Sequence, residues 1–392
     1  MTLPPSIARL PERTAEFGAR LVQWAEINSG SGHLAGLDRM RAALRAEFGC
    51  FPHALVEELP CKGTAAALRV SVRPDAKTRL LLNGHFDTVY EANDPFQRCQ
   101  WLDATRLNGP GVADMKGGLL TMLVALQAFE ETPHAATIGW DVLLTPDEET
   151  GSHGSAWLFR EAPQRAQFAL IFEPARPNGD IVHSRKGTGS IVATCHGRAA
   201  HAAKVPNDGR NAILALAEFL LAASKIPTEL PGVLVNVGNI RGGGAATNVV
   251  PDLAVSEIDV RVTRVADREP LMARLNTLAA GINARDGFKL ELTGGFNRPP
   301  KECLPPEPKV FAEWQRAAQD VGVAPFTWVH TGGGSDGNLL TAAGLPNLDG
   351  LGPLGDHLHS AREFVVVPTI AQRAQIAALF LHRLAAGEIA LG

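Results

Sequence analysis

Short apolar runs ending in polar or charged residues alternate with stretches whose apolar positions recur at helical spacing. Residues 12–48 read as two amphipathic helices, split by Asn28-Ser29-Gly30-Ser31-Gly32. Strand-like runs follow at 66–72, 79–82, 138–144 and 168–172, with a helical stretch at 118–129 between the second and third. Strands alternating with helices predict an α/β layer around a largely parallel sheet. The middle of the chain changes pattern. A strand at 190–196, a helix at 211–224, strands at 233–239 and 253–262, a helix at 268–283 and a strand at 289–292 give the β-α-β-β-α-β order of a ferredoxin-like unit. A proline-rich stretch at 299–306 closes it, and from Pro308 on the helix–strand–loop–helix pattern reads as the first domain resuming. The expected fold is α/β, with a first domain in two parts, 1–183 and 301–392, around a mostly parallel sheet, and an inserted α+β ferredoxin-like domain at 184–300.

The 392 residues suit two domains, with 45% hydrophobic and 20% charged residues and a formal net charge of −4. No long basic run is present, which argues against nucleic acid as a partner. The apolar runs read as too short to cross a membrane, and the start of the chain reads as lacking a basic-then-apolar secretion signal. Cys50, Cys61, Cys99, Cys195 and Cys303 are scattered and form no C-x-x-C pair, so a reduced, cytoplasmic protein is expected.

Five segments carry the chemistry: Asn83-Gly84-His85-Phe86-Asp87, Gly111-Val112-Ala113-Asp114-Met115-Lys116-Gly117-Gly118, Asp147-Glu148-Glu149-Thr150-Gly151, Phe172-Glu173-Pro174 and Gly352-Pro353-Leu354-Gly355-Asp356-His357-Leu358-His359. His85, Asp87, the acidic triplet and Glu173 fall just beyond apolar strand-like runs, where parallel sheets collect ligands. Asp114, between a Gly-Pro-Gly turn and a Gly-Gly helix entry, suits a carboxylate shared by two divalent ions; alone it would equally serve as a helix N-cap. His85 and Asp87 share a face of an extended segment, so Asp87 can accept the second ring N–H of a ligating His85. Glu148 and Glu149, as neighbours on an extended chain, point apart and can divide labour between coordination and proton transfer. On residue chemistry alone His357 and His359 compete.

These motifs, in this order over nearly the whole chain, resemble the co-catalytic di-zinc aminoacylase and carboxypeptidase family, which includes glutamate carboxypeptidase, acetylornithine deacetylase and succinyl-diaminopimelate desuccinylase. The resemblance implies two divalent metal ions, zinc by family habit, with cobalt and manganese also suited to mixed N/O ligands. It implies His85, Asp114 and Glu173 on one ion, and Asp114, Glu149 and His359 on the other. His359 is chosen because the family's last histidine precedes a glutamate by four residues, here Glu363. Glu148 would be the general base and Asp87 would orient His85, with a cis peptide after Asp114. In the inserted domain, Gly197-Arg198-Ala199-Ala200-His201-Ala202-Ala203 and Ala246-Thr247-Asn248-Val249-Val250-Pro251 resemble lid motifs, with His201 donating to the oxyanion of a partner subunit's site and Asn248 binding substrate. Arg261 would grip a substrate carboxylate as in the glutamate carboxypeptidase branch, towards which the loop Gly332-Gly333-Gly334-Ser335-Asp336-Gly337 also leans. The expected activity is hydrolysis of an amide bond in a small peptide or N-acyl amino acid, by a homodimer.

Two other readings compete. Gly333-Gly334-Ser335-Asp336-Gly337 fits G-x-S-x-G, and aspartates and histidines follow in the order of a serine hydrolase. A metal-binding homologue without catalysis would keep the fold but lose a ligand or the base.

Overall fold

The computed structural model describes residues 3–204, 206 and 208–391. The chain divides into two compact units. One comprises residues up to Ser184, Cys303–His330 and the segment from Ser335 on; the other comprises Arg185–Glu302 and Thr331–Gly334.

The first unit is built on an eight-stranded sheet. Its spatial order is Leu55–Leu59, Ala67–Val72, Gly139–Thr145, Arg79–His85, Phe168–Ile171, Asn347–Asp349, Ile181–Arg185 and Trp328–Thr331. The four central strands, Gly139–Thr145 to Asn347–Asp349, run parallel to one another, and antiparallel pairs flank them on both sides. The parallel strands are buried along almost their whole length, which is why they read as unbroken runs such as Leu80-Leu81-Leu82. Register decides where they end. His85 lies opposite Thr145, and Asn83 opposite Ile171, so the segments that follow all leave the sheet at one edge. The Arg79–His85 strand runs three residues further than its apolar core suggests, because Asn83 and His85 are buried polar residues at the strand's working end.

The helix Gly117–Glu130 is apolar on nearly every side, being covered by the sheet and by the helix Pro368–Ala385. The segment Val112–Glu130 has the length and apolarity of a membrane span, contrary to the expectation from the sequence, yet 94% of its most apolar window is buried inside the protein. It enters the core at two glycines. A Cβ at Gly118 would lie 1.9 Å from the carbonyl oxygen of Phe172, one residue before Glu173. A strand Leu55–Leu59, mostly exposed at the sheet edge, escaped the sequence reading because its Leu-Val-Glu-Glu-Leu pattern does not alternate.

The second unit has the order strand Gly187–His196, helix Ala212–Ala223, strands Val233–Gly242 and Leu253–Val262, helix Arg268–Asn283 and strand Lys289–Arg298. Its antiparallel sheet runs Val233–Gly242, Leu253–Val262, Gly187–His196, Lys289–Arg298 in space. Both helices pack on one face through Leu216, Phe219, Leu271 and Leu275 against Ile191, Ile258 and Val260. Leu253–Val262 alternates buried and half-buried positions, the mark of a sheet covered on one side. Lys289–Arg298 continues six residues beyond its apolar start, through Gly294 and Gly295.

The close approach at Gly118 gives a direct test. Gly118→Ala should lower unfolding free energy by more than about 2 kcal/mol, since backbone must move to admit a methyl group. Urea unfolding measures it, and a loss below about 0.5 kcal/mol would contradict the packing.

Candidate metal centre

Five elements deliver side chains to one place in the first unit. His85 ends its strand and is 1% exposed, with Asp114, Glu148 and Glu173 also buried. His85 Nε2 lies 3.2 Å from Asp114 Oδ1 and 3.7 Å from Glu173 Oε1. On the other side of the same carboxylate, His359 Nε2 lies 3.2 Å from Asp114 Oδ2 and 3.3 Å from Glu149 Oε2. Asp114 therefore turns each oxygen to a different histidine. Ligand-capable atoms of His85, Glu148 and Glu173, and of His85, Asp114 and Glu149, fall within 4.8 Å of one another in each trio.

Asp87 organises the site from below. His85 Nδ1 sits 3.0 Å from the Asp87 carbonyl oxygen and 3.3 Å from its Oδ1, so the backbone carbonyl takes a larger share of that hydrogen bond than sequence suggested. The Asp87 carboxylate also accepts the backbone N–H groups of Glu148 and Glu149, each at 3.1 Å, and the Ser31 hydroxyl at 2.8 Å. Here the structure corrects the expectation of an extended pair. Glu148–Thr150 is one turn of 3-10 helix, held by Asp87, and it is the turn that separates the two glutamates. Asp147 takes no part: it accepts from Gly154, Ser155 N–H and Ser155 O–H, and so ties down the loop behind.

Asp114 lies in a tight loop entered through Gly111 at φ +69°, and the Asp114–Met115 peptide is cis. Lys116, fully buried, donates to the Ile27 carbonyl at 2.9 Å, and burial pushes its ammonium down to about 8. Glu363, also buried, accepts from this same loop. Burial pushes its carboxyl up to about 7, against the pull of those donors.

The charges are strained against one another. Burial and then the Asp114 carboxylate push Glu149 up to about 7. Hydrogen bonds to Asp114 and Glu149 raise His359 to about 11. Burial opposes the charged form of His85, yet bonds to Asp114 and Asp87 hold it protonated well above the usual range. Burial likewise opposes ionised Asp114, and bonds to His359 and His85 outweigh it, holding it well below ordinary carboxylates. With Nδ1–H of His85 directed at Asp87, its Nε2 can face the Asp114 and Glu173 carboxylates only with a proton or a cation between. The mixed N/O donor set, the shared carboxylate and the supported histidine all fit divalent ions, which would displace those protons.

His359 and His357 separate clearly. Both have positive φ, but only the His359 ring reaches Asp114 and Glu149, while His357 packs edge-on to Phe364 with ring centroids 6.0 Å apart.

In the second unit, the two glycine- and alanine-rich motifs come together. His201 forms a bridge with Val249, and Ala202 N–H donates to the Asn248 carbonyl at 2.9 Å. The exposed His201 ring accepts the Ala203 N–H at Nδ1, 3.2 Å away, which places its own proton on Nε2. Arg261 is about one-third exposed; its Nε meets Asp259 at 3.0 Å and one terminal nitrogen donates to the Gly332 carbonyl at 3.0 Å. Its fork is thus partly engaged, and the Gly332 loop is what holds it.

Ser335 is buried. It donates to Asp349 at 2.6 Å and accepts from Gly337 N–H at 3.0 Å, as the cap of the helix Asp336–Ala342. The residues that sequence reasoning passed over are Ser31, read only as part of a helix break, and Tyr90, three residues beyond Asp87. The one available signal was that Tyr90 is the chain's single tyrosine, next to a ligand segment.

Known proteins resemble this chain along most of its length. The sequence pattern of peptidase family M20/M25/M40 matches residues 81–383. Carboxypeptidase G2 of Pseudomonas sp. (strain RS-16) is 30% identical over 321 residues, 79% of this chain and 74% of that protein. Succinyl-diaminopimelate desuccinylase of Paracidovorax citrulli (strain AAC00-1) is 31% identical over 293 residues, 71% of this chain and 73% of that protein. A tripeptidase structure from Staphylococcus aureus subsp. aureus Mu50 superposes with a TM-score of 0.81 at 22% identity, covering 95% of this chain and 99% of that one, a likeness of fold.

If the cluster binds divalent ions, adding Zn2+ to chelator-stripped protein should raise its unfolding free energy, by about 4 kcal/mol at a thousandfold excess over Kd. Asp114→Asn should lose most of that gain. Thermal melting with and without Zn2+ measures both, and a wild-type protein whose melting ignores Zn2+ would contradict the site.

Proposed function

The chain belongs to peptidase family M20/M25/M40, a family of metal-dependent peptide and amide hydrolases, and from that membership we propose a dinuclear carboxypeptidase or N-acyl amino acid amidohydrolase. The observation that carries the proposal is the Asp114 carboxylate, with one oxygen facing His85 and the other His359. His85, Asp114 and Glu173 would hold one ion, and Asp114, Glu149 and His359 the second, with zinc the expected metal. What the ions supply when bound is Lewis acidity toward the amide carbonyl and a lower pKa for water.

The chain's own groups do the rest. Glu148 takes a proton from the attacking water and returns it to the leaving nitrogen. The Asp87 carboxylate, clamped by the Glu148 and Glu149 N–H groups, keeps that base and His85 in register. His201, with its proton on Nε2, is a ready donor to a tetrahedral oxyanion. Arg261 would bind the free carboxylate of the residue to be released, and Asn248 would help hold the substrate. A relative named as a carboxypeptidase supports the peptidase form of this reading, and one named as a desuccinylase supports the deacylase form. The buried, capped Ser335 offers no exposed nucleophile, which counts against serine chemistry.

Dimerisation through the second unit is supported by its exposed edge strand. Val233–Gly242 is exposed from Asn236 onward and carries Val237 and Ile240, and Leu214 and Leu221 protrude from the neighbouring helix Ala212–Ala223, each about two-thirds exposed. An open edge with apolar side chains pairs readily across a two-fold axis.

Two experiments test these roles. Glu148→Ala should keep its metal and lose turnover by about three orders of magnitude, whereas Glu149→Ala should lose occupancy at one position. Metal content measured alongside rate separates them, and full metal in both variants would end the division of labour. For His201, chains carrying His201→Ala are mixed with chains carrying Glu148→Ala. If His201 serves the partner's site, each mixed dimer has one site with both groups intact, and activity returns after subunit exchange. No recovery from a proven mixed dimer would place His201 in its own chain's site.

A further inference from the structure

Glu363 and Tyr90 belong to none of the ligand or proton-transfer roles, yet they meet beside Asp114. Glu363 is 1% exposed and its carboxylate accepts four hydrogen bonds. Oε1 takes the Ala113 N–H at 2.9 Å and the Asp114 N–H at 3.0 Å. Oε2 takes the Tyr90 hydroxyl at 2.7 Å and the Gly111 N–H at 3.3 Å. Tyr90 Oη also lies 2.9 Å from the Ser360 carbonyl. The backbone carbonyl of Glu363 accepts from the Asn108 side chain at 2.6 Å, fixing the residue from its other end.

The placement of these partners matters more than their number. Tyr90 follows His85 and Asp87 on one segment; Gly111, Ala113 and Asp114 form the loop of the shared carboxylate; Ser360 and Glu363 follow His359 on a third. One buried carboxyl group therefore joins three of the five ligand-bearing segments. The loop it grips has no regular structure to hold it, because Asp114 and Met115 leave helical φ/ψ inside the turn. A nest of backbone N–H groups converging on a carboxylate is the local answer.

We propose that Glu363, with Tyr90, is a positioning residue: it fixes Asp114 and His359 relative to each other, so that one carboxylate can serve two ions. The inference rests on the dinuclear reading above. Neutral Gln at 363 would set its NH2 group against N–H or O–H donors, leaving the Asp114 loop without its brace. Partners of this kind are typically worth about 10–100-fold in metal affinity.

The test measures Zn2+ affinity by competition with a chromophoric chelator, the visible spectrum of the Co2+ form, thermal stability under chelator, and kcat and KM. Glu363→Gln should bind Zn2+ about 10–100-fold more weakly, alter the Co2+ spectrum and lower kcat with KM little changed. Tyr90→Phe should shift the same readouts in the same direction but less, and should add almost nothing in the Glu363→Gln background. If Glu363→Gln does not fold, Tyr90→Phe, which removes a single hydroxyl, decides alone. Wild-type Zn2+ affinity and Co2+ spectrum in Tyr90→Phe and in any folded Glu363→Gln, even with lowered thermal stability, would overturn the proposal and leave a plain structural contact. Wild-type protein that takes up neither metal would instead overturn the dinuclear reading on which the proposal rests.

Discussion

Everything in the first unit answers to one electrostatic problem: several carboxylates must be gathered where water is scarce. Asp114, Glu148, Glu149 and Glu173 converge with two histidines at the edge of a buried sheet. Charged groups cost much to desolvate and repel one another at these separations. Without a metal the protein meets that cost with protons, on histidine as in His359 raised to about 11 and on carboxyl as in Glu149 raised to about 7. Divalent ions would meet it better, because one cation can face several oxygens at once. The fold holds the repelling groups in place, and the ions would relieve the repulsion.

That view explains the scaffold's choices. Parallel strands buried on both faces end in register, so His85, the Glu148–Glu149 turn and Glu173 leave at one edge without long loops. Asp114 comes from the loop between Gly111 and Gly117, gripped by its backbone N–H groups on Glu363, and the helix that follows presses Gly118 on the carbonyl of Phe172. Asp87 plays the matching part below, serving His85 and the acidic turn with one carboxylate.

Much of this was legible in the sequence, and for a physical reason. Buried parallel strands leave unbroken apolar runs, and a charged residue at the end of such a run stands out, as with Glu173 after Ala169-Leu170-Ile171-Phe172. The β-α-β-β-α-β order of the second unit was equally plain, because one-sided packing imposes alternation on Leu253–Val262. What stayed hidden depends on approach in space. Nothing in Asp147-Glu148-Glu149 announces a 3-10 turn capped by Asp87, and residue chemistry could not separate His357 from His359. Ser31 looked like a break between helices until its hydroxyl was found on Asp87. Val112–Glu130 shows the converse error: its apolar surround reflects a core on every side.

On the proposed function, the Asp114 carboxylate is shared between two ions. Anomalous diffraction from a crystal of the zinc-loaded protein, recorded on both sides of the zinc absorption edge, addresses it directly. A shared Asp114 carboxylate requires two zinc peaks about 3.5–4 Å apart, flanking Asp114, with His85 and Glu173 on one and Glu149 and His359 on the other. A single peak, or peaks that leave Asp114 outside coordination distance, would contradict it.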